Sequence, residues 1–358
     1  MKTSQRSLRS IAAALALSLC GGGLFTLLRI PLPWMLGPLF CVGLAGISGV
    51  RVSDIRGGRQ AGQLIVGCSL GLYFTPEVSR QLLDFGGYIV MAALLGILAG
   101  ALGSQILRRV SGIDPTTAFF SSVPGGAAEM AILAERAGAR FDQVVLCHSL
   151  RVLLVVSTVP IAVTMTGASG SSTYAPLTST VVPGGLALLI ALACAASWLL
   201  LKTGIPNAWM LGSLFASMAL TINGTSLSAV PSFLSVAAQI LIGCALGTRF
   251  KPSLRSESRR LIKGILASAS FALLLSALIG VLIARLIGES IPAMVLATSP
   301  GGIAEMCLTA KVLKLGVPLV TSFQVTRLAI VITCSLPLWN LFMKYRRWRA
   351  ARKSGGEK

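Results

Sequence analysis

Apolar residues fall along this chain in runs of roughly 20, broken by short basic, polar or Pro/Gly-rich stretches. A helix of about 20 apolar residues crosses a ~30 Å hydrocarbon layer. Lipid offers backbone N–H and C=O groups no outside partner, so such runs are predicted as helices that satisfy their own backbone. The expectation is an all-α integral membrane fold, and composition strengthens it. Of 358 residues, 54% are hydrophobic and only 12% charged, more apolar than a soluble domain can use as core. An ordinary cytosolic enzyme is excluded. The N-terminus has the outline of a signal peptide, with Lys2, Arg6 and Arg9 ahead of an apolar run and a Leu17-Ser18-Leu19-Cys20 box. The run continues to about Ile30 and Leu19 stands where cleavage needs a small residue, so a first membrane helix is expected.

The pattern repeats. Pro31-Leu-Pro-Trp-Met-Leu-Gly-Pro-Leu-Phe40 returns as Pro206-Asn-Ala-Trp-Met-Leu-Gly-Ser-Leu-Phe215 at a shift of 175. At a shift of 176, Gln63 and Gly67-Cys-Ser-Leu-Gly71 return as Gln239 and Gly243-Cys-Ala-Leu-Gly247. At the same shift Pro124-Gly-Gly-Ala-Ala-Glu-Met130 returns as Pro300-Gly-Gly-Ile-Ala-Glu-Met306, and Arg151 as Arg327. Matches in one order at nearly one offset mark a tandem duplication. The implied layout is a first membrane repeat over 1–165, an external linker over 166–182 rich in Ser, Thr and Gly, a second repeat over 183–343, and a basic cytoplasmic tail over 344–358.

Charge then orients the halves. The chain carries 31 Lys and Arg against 11 Asp and Glu, a formal net charge of +20, gathered between apolar runs and at both ends. That placement follows the positive-inside rule, with lipid headgroups as the partner of the charge. The segments Arg51 to Arg59, Arg108 to Arg109, Arg136 to Arg140 and Arg249 to Lys263, with the tail, are expected inside; Asn223 to Pro231, free of charge, is expected outside. These assignments hold together only if each Pro-Gly-Gly segment enters and leaves by one face, since Pro and two Gly break a helix at its middle. Each half then crosses five times, giving about ten transmembrane helices plus two broken or re-entrant elements, an inverted tandem repeat with both termini cytoplasmic. Lys311 and Lys314 fall outside against the rule. The alternative is twelve spans in parallel repeats.

Few groups in the apolar runs can carry chemistry: Glu129, His148, Arg151, Glu305 and Arg327, with Gln324 at the position of His148. Charges at bilayer depth cost about 2.5–3.5 kcal/mol or more unless paired or hydrated. Pro124-Gly125-Gly126 and Pro300-Gly301-Gly302 each open a short helix whose free N–H groups suit an anion or polar solute. Glu129 and Glu305 are candidates to take up protons, and Arg151 and Arg327 to hold a carboxylate by paired hydrogen bonds. The structural alternative has each Glu relieving its own helix dipole and pairing with an Arg. Trp34 to Gly37 and Trp209 to Gly212 read as helix entries with interfacial Trp, and Gly67/Gly71 and Gly243/Gly247 as close-packing faces. Eight cysteines without a CxxC pair, and the single His148, fit apolar packing better than a metal site or disulfides.

The paired elements IPLPWMLGPL and IPNAWMLGSL, with VPGGAAEM and SPGGIAEM, resemble the bacterial AbrB family of duplicated membrane proteins over nearly the whole chain. Members carry the labels ammonia monooxygenase or AbrB-family transcriptional regulator. One histidine and no clustered carboxylates make an oxygen-activating metal enzyme improbable. No stretch outside the bilayer is long enough for a DNA-binding domain, so any effect on gene expression is expected to be indirect. The expected function is that of an inner-membrane secondary transporter or exporter of a small polar or anionic solute, coupled to protons, without enzymatic activity or cofactor. A membrane regulator acting through its basic tail is the alternative. Expected partners are the bilayer, a small solute or ion, and a second copy in a homodimer, with no direct contact to nucleic acid.

Overall fold

A computed structural model describes residues 2–167 and 174–354. Part of the expected linker, 168–173, and the last four residues of the expected tail lie outside the described residues. The described residues are helical throughout, without strands. In order they form α1 (Lys2–Leu27), α2 (Pro33–Ile47), α3 (Gly58–Gly71), α4 (Pro76–Asp84), α5 (Gly86–Ser111), α6 (Pro115–Ser122), α7 (Ala127–Arg136) and α8 (Phe141–Met165). Then follow α9 (Pro183–Lys202), α10 (Ala208–Ile222), α11 (Ser232–Gly247), a 3-10 turn (Pro252–Ser256), α12 (Arg259–Ile287), α13 (Ile291–Thr298), α14 (Ile303–Val312) and α15 (Val317–Ser354). The helices α6, α7 and α13, α14 begin and end 176 residues apart.

Among the described residues six helices, α1, α5, α8, α9, α12 and α15, are long and apolar enough to cross a membrane. The expectation of about ten is met by length only six times. The apolar helices α2, α10 and α11 have 15 or 16 residues, about 22–24 Å at 1.5 Å per residue, and α3 has 14. These short helices owe their place to packing on one another. Gly67 and Gly71 of α3 face Ser213 and Ser217 of α10, and Gly243 and Gly247 of α11 face Met35, Leu39 and Val42 of α2. Missing Cβ atoms let the backbones approach until Ser217 Oγ reaches Gly67 O at 3.4 Å. The first half thus packs its α3 on the second half's α10, and the second half its α11 on the first half's α2. A Gly71→Ala side chain would sit 2.7 Å from Leu214 O and Met218 N, where only backbone can yield. Such overpacking costs about 1–3 kcal/mol, and thermal unfolding in detergent should show a matching drop in Tm, with Gly23→Ala, which meets nothing, as control.

The helices sort into two bundles. α1 to α3 pack with α9 to α11, and α5 to α8 with α12 to α15; α3 touches α14 and α15 across the divide. In the second bundle, Phe119 and Phe120 of α6 stack around Trp339 of α15, with Phe119 and Trp339 centroids 5.0 Å apart. α15 continues unbroken for 38 residues to Ser354, carrying the start of the basic tail as helix.

The Pro-Gly-Gly segments form helical hairpins. α6 runs in from Pro115, the chain turns through Val123–Gly126, and α7 runs back. At the base of that hairpin Arg140 N donates to Thr117 Oγ1 at 3.0 Å, joining the exit to the entry. The second hairpin closes at corresponding positions, with Gly316 against Ala293. Asp114 starts the first by accepting from Thr117 N at 2.8 Å.

The ends of the helices also sort. Leu177 N donates to Leu72 O, Val182 N to Ser228 Oγ, and Tyr174 Oη to Glu289 Oε1 at 2.9 Å and Gln81 Oε1 at 3.4 Å, while Gly316 lies beside the Tyr174 ring. Burial and the adjacent Glu289 carboxylate push the Tyr174 phenol above its ordinary pKa. The described linker residues therefore gather at one end the turns after α3, α10, α12 and α14. At the other end, Ser53 meets Ser10, and Gly46 meets Phe250.

Candidate functional site

Each hairpin turn leaves the carbonyls at the end of its first arm without helical partners. In the first half Arg151, 4% exposed, supplies donors: Nη1 to Ser122 O (3.3 Å) and Val123 O (3.1 Å), Nη2 to Gly125 O (3.2 Å). Nη2 also lies 2.7 Å from His148 Nδ1. A guanidinium has only donors, so Nδ1 accepts and the proton sits on Nε2, which donates to Phe120 O at 3.0 Å. In the second half Arg327 donates to Ser299 O and to Gly301 O (2.9 Å). Gln324 Nε2 donates to the Leu296 and Ala297 carbonyls and shares Ser299 O with Arg327, at 2.9–3.2 Å. His148 and Gln324 do the same work with different chemistry.

The arginines thus serve the backbone of the turns before any solute. No ion pair joins Glu129 to Arg151 or Glu305 to Arg327 among the described residues, and the guanidinium Nε atoms of both Arg are buried without a partner. The two Glu stand at the third position of α7 and α14, where a carboxylate is favoured by the positive helix end. Each folds back over the glycine that caps its helix, so that a Cβ on Gly126 or Gly302 would overlap the carboxylate. Glycine is required there for the Glu to reach the turn.

Both turns open on one cavity of about 330 Å³. Its wall includes Pro124, Gly125, Gly126 and Glu129 from the first hairpin, Gly301, Gly302 and Glu305 from the second, and Arg327. Arg151, His148, Gln324 and Pro300 stand behind that wall, outside its lining. The first bundle closes the opposite side with Arg59, Gln63, Asn207, Trp209 and Arg249. Gln63 Nε2 donates to Asn207 Oδ1 at 3.2 Å. Asn207 caps α10 at φ 53, a left-handed conformation that Asn tolerates. Burial, and then the like charge of Arg59, pull the Arg249 guanidinium down to about 10, against Glu305 and Glu129; it stays charged at neutral pH. Three guanidinium groups and two carboxyl groups face the cavity, a balance that favours an anion.

Arg59, Arg249 and Asn207 escaped the sequence reading because the first two counted as loop charges that orient the chain and the third differs from its repeat partner, Leu32. The return of Gln63 as Gln239 was the available signal. A larger groove of about 480 Å³, among Leu94, Leu98, Phe119 and Trp339, shares no residue with either turn.

Paired broken hairpins meeting at one charged cavity between two helical bundles define an apolar, all-helical protein among the described residues. The chain belongs to the AbrB family: the family model described as "Transition state regulatory protein AbrB" matches residues 34–343. Similar proteins include "Uncharacterized protein YhjN" of Bacillus subtilis (strain 168), 29% identical with 91% of each chain covered. Another is "Putative regulator AbrB" of Escherichia coli (strain K12), 24% identical over 91% of this chain and 94% of the relative.

Proposed function

We propose that the chain is a secondary transporter or exporter in a bacterial inner membrane, moving a small anionic or polar solute with proton coupling. It is read as ten crossings and two re-entrant hairpins, with the second half inverted relative to the first and both termini cytoplasmic. One observation carries this reading: from both halves, turns and carboxylates that lie far apart in sequence converge on one cavity between bundles. Inverted repeats with broken helices around a midplane site are the usual architecture of such carriers, which work by moving one bundle against the other. The hairpin bases support the inverted count, since entry and exit coincide in each. So does the gathering, at one end, of turns that the charge count places outside. In this reading the solute rests on the N-terminal N–H groups of α7 and α14, near Arg59, Arg249 and Arg327, while Glu129 and Glu305 exchange protons. Lys311 ceases to be an anomaly of charge placement, because it is a half-buried side chain within α14 bonded to two serines rather than a loop cation.

The test is a thermal-shift screen of detergent-purified protein against organic anions, amines and ammonium. A ligand at 100 times its dissociation constant adds about 2.7 kcal/mol. Anions should stabilise the protein and amines should not, and Arg249→Ala, clear of the hairpin hydrogen bonds, should abolish the shift. Stabilisation by ammonium alone would overturn the anion reading. The regulator names of the family and of the Escherichia coli relative favour a second reading, a membrane regulator that recruits a cytoplasmic protein through its basic tail. Removing residues 344–358 would then abolish function while leaving ligand shifts intact.

A further inference from the structure

The two bundles do not meet equally at their two ends. At one end α14 packs along α3, and Lys311 Nζ donates to Ser69 Oγ of α3 and to Ser235 Oγ of α11 (3.3 Å). Moving each of these residues 176 positions back or forward gives Glu135 for Lys311, Arg59 for Ser235 and Ala245 for Ser69. That second set is apart. Glu135 is exposed, Arg59 faces the cavity, and α7 makes no contact with α11 comparable to that of α14 with α3 among the described residues. Duplicated halves inherit the same packing surfaces, so a contact made by one half and missing in the other marks a surface whose partner lies elsewhere in this arrangement. The chemistry of the missing contact is complementary: a carboxylate on α7 and a guanidinium at the start of α3.

We propose that Lys311 and Glu135 are alternate latches of one rocking motion. With Lys311 on Ser69 and Ser235, the outer end is closed and the cavity opens past Arg59 and Arg249; with Glu135 paired to Arg59, the inner end is closed. The two exclude each other because the hairpin bundle moves as a body. Arg151 and Arg327 tie the turns to α8 and α15, and α5 is packed along α12, so tilting the bundle onto one end of α3 lifts it from the other. Arg59 then has two tasks, meeting the solute while the site is open and sealing it when closed. This inference rests on the transporter reading and its inverted topology.

The test uses an Arg59→Cys/Glu135→Cys pair in proteoliposomes, with exposed Cys20 and Cys194 replaced by Ser. Copper-phenanthroline supplies the oxidant, and linked peptides are counted by mass spectrometry. The pair should link, and Lys311→Ala, which releases the opposite latch, should raise the yield at least threefold. A Ser69→Cys/Ser235→Cys pair, both positions within reach of one ammonium group, reports that the first bundle is folded and the oxidant works. No link between positions 59 and 135 in the Lys311→Ala protein, while positions 69 and 235 link, overturns the latch. A link whose yield ignores Lys311→Ala overturns the alternation. Proton movement, followed with an entrapped pH dye as succinate is offered outside, tests the other level separately. Links that respond to Lys311→Ala, without proton movement for any organic anion tried, would sink the transporter reading and the solute role of Arg59, leaving only a movement between two contacts; proton movement without links would sink the latch and leave the transporter reading standing.

Discussion

Arg327→Ala lowers the thermal stability of the protein by about 3 kcal/mol and removes solute binding together with it. The side chain is 7% exposed and donates to two carbonyls at the turn of the second hairpin. A buried acceptor left unpaired costs about 1–3 kcal/mol, and Ser299 and Gly301 would both lose a donor, although Gln324 Nε2 still reaches Ser299. Relief of the desolvated guanidinium offsets part of this, but that charge sits at the negative end of α13, where a cation is favoured. Arg327→Lys separates the effects. A single ammonium keeps the charge and cannot reproduce a fork spread over two carbonyls, so stability should recover by about half and binding should not. Equal stability of Arg327→Ala and the parent in a denaturation series would show that the turn is held by something else.

Glu305→Gln behaves in the opposite way: stability changes by less than about 1 kcal/mol, and proton-driven flux falls at least tenfold. The substitution keeps shape and leaves the backbone hydrogen bonds of the hairpin alone. Its carboxylate is 6% exposed, lines the cavity and lies over Gly302. Glu129→Gln should act alike, and the double variant should carry solute down its own gradient with no response to a pH step. Flux that still follows the pH step in the double variant removes both Glu from proton carriage. The contrast between Arg327→Ala and Glu305→Gln sorts the residues in the runs into those that build the site and those that operate it.

Much of the fold was legible in advance because a chain this rich in long apolar runs has few options. Long apolar runs are expected to be helices, and the two Pro-Gly-Gly motifs, expected to break a helix, fall at the turns between α6 and α7 and between α13 and α14. The short helices were harder. The count of five crossings per half makes α3 a span, yet it has only 14 residues and Arg59, Gln60 and Gln63 stand in its first turns; its glycines, packed on α10, explain its place. In the site, residue type gave position but not partner. A buried Arg and Glu at equal numbers per half suggest pairing, whereas the turn presents unpaired carbonyls nearer to each Arg than any carboxylate. Cavity residues at helix ends, Arg59, Asn207 and Arg249, are polar for two reasons at once, and a sequence cannot separate orientation from binding.

The exchange of partners between halves, α3 on α10 and α11 on α2, bears on how the protein is made. Residues 1–165 emerge from the ribosome first, yet the glycine face of α3 has nothing to close against until α10 has been synthesised some 140 residues later. The early half must wait with that face open, so completion of the fold is gated by the arrival of the late half. Two genes, one for each half, should yield protein only when expressed together.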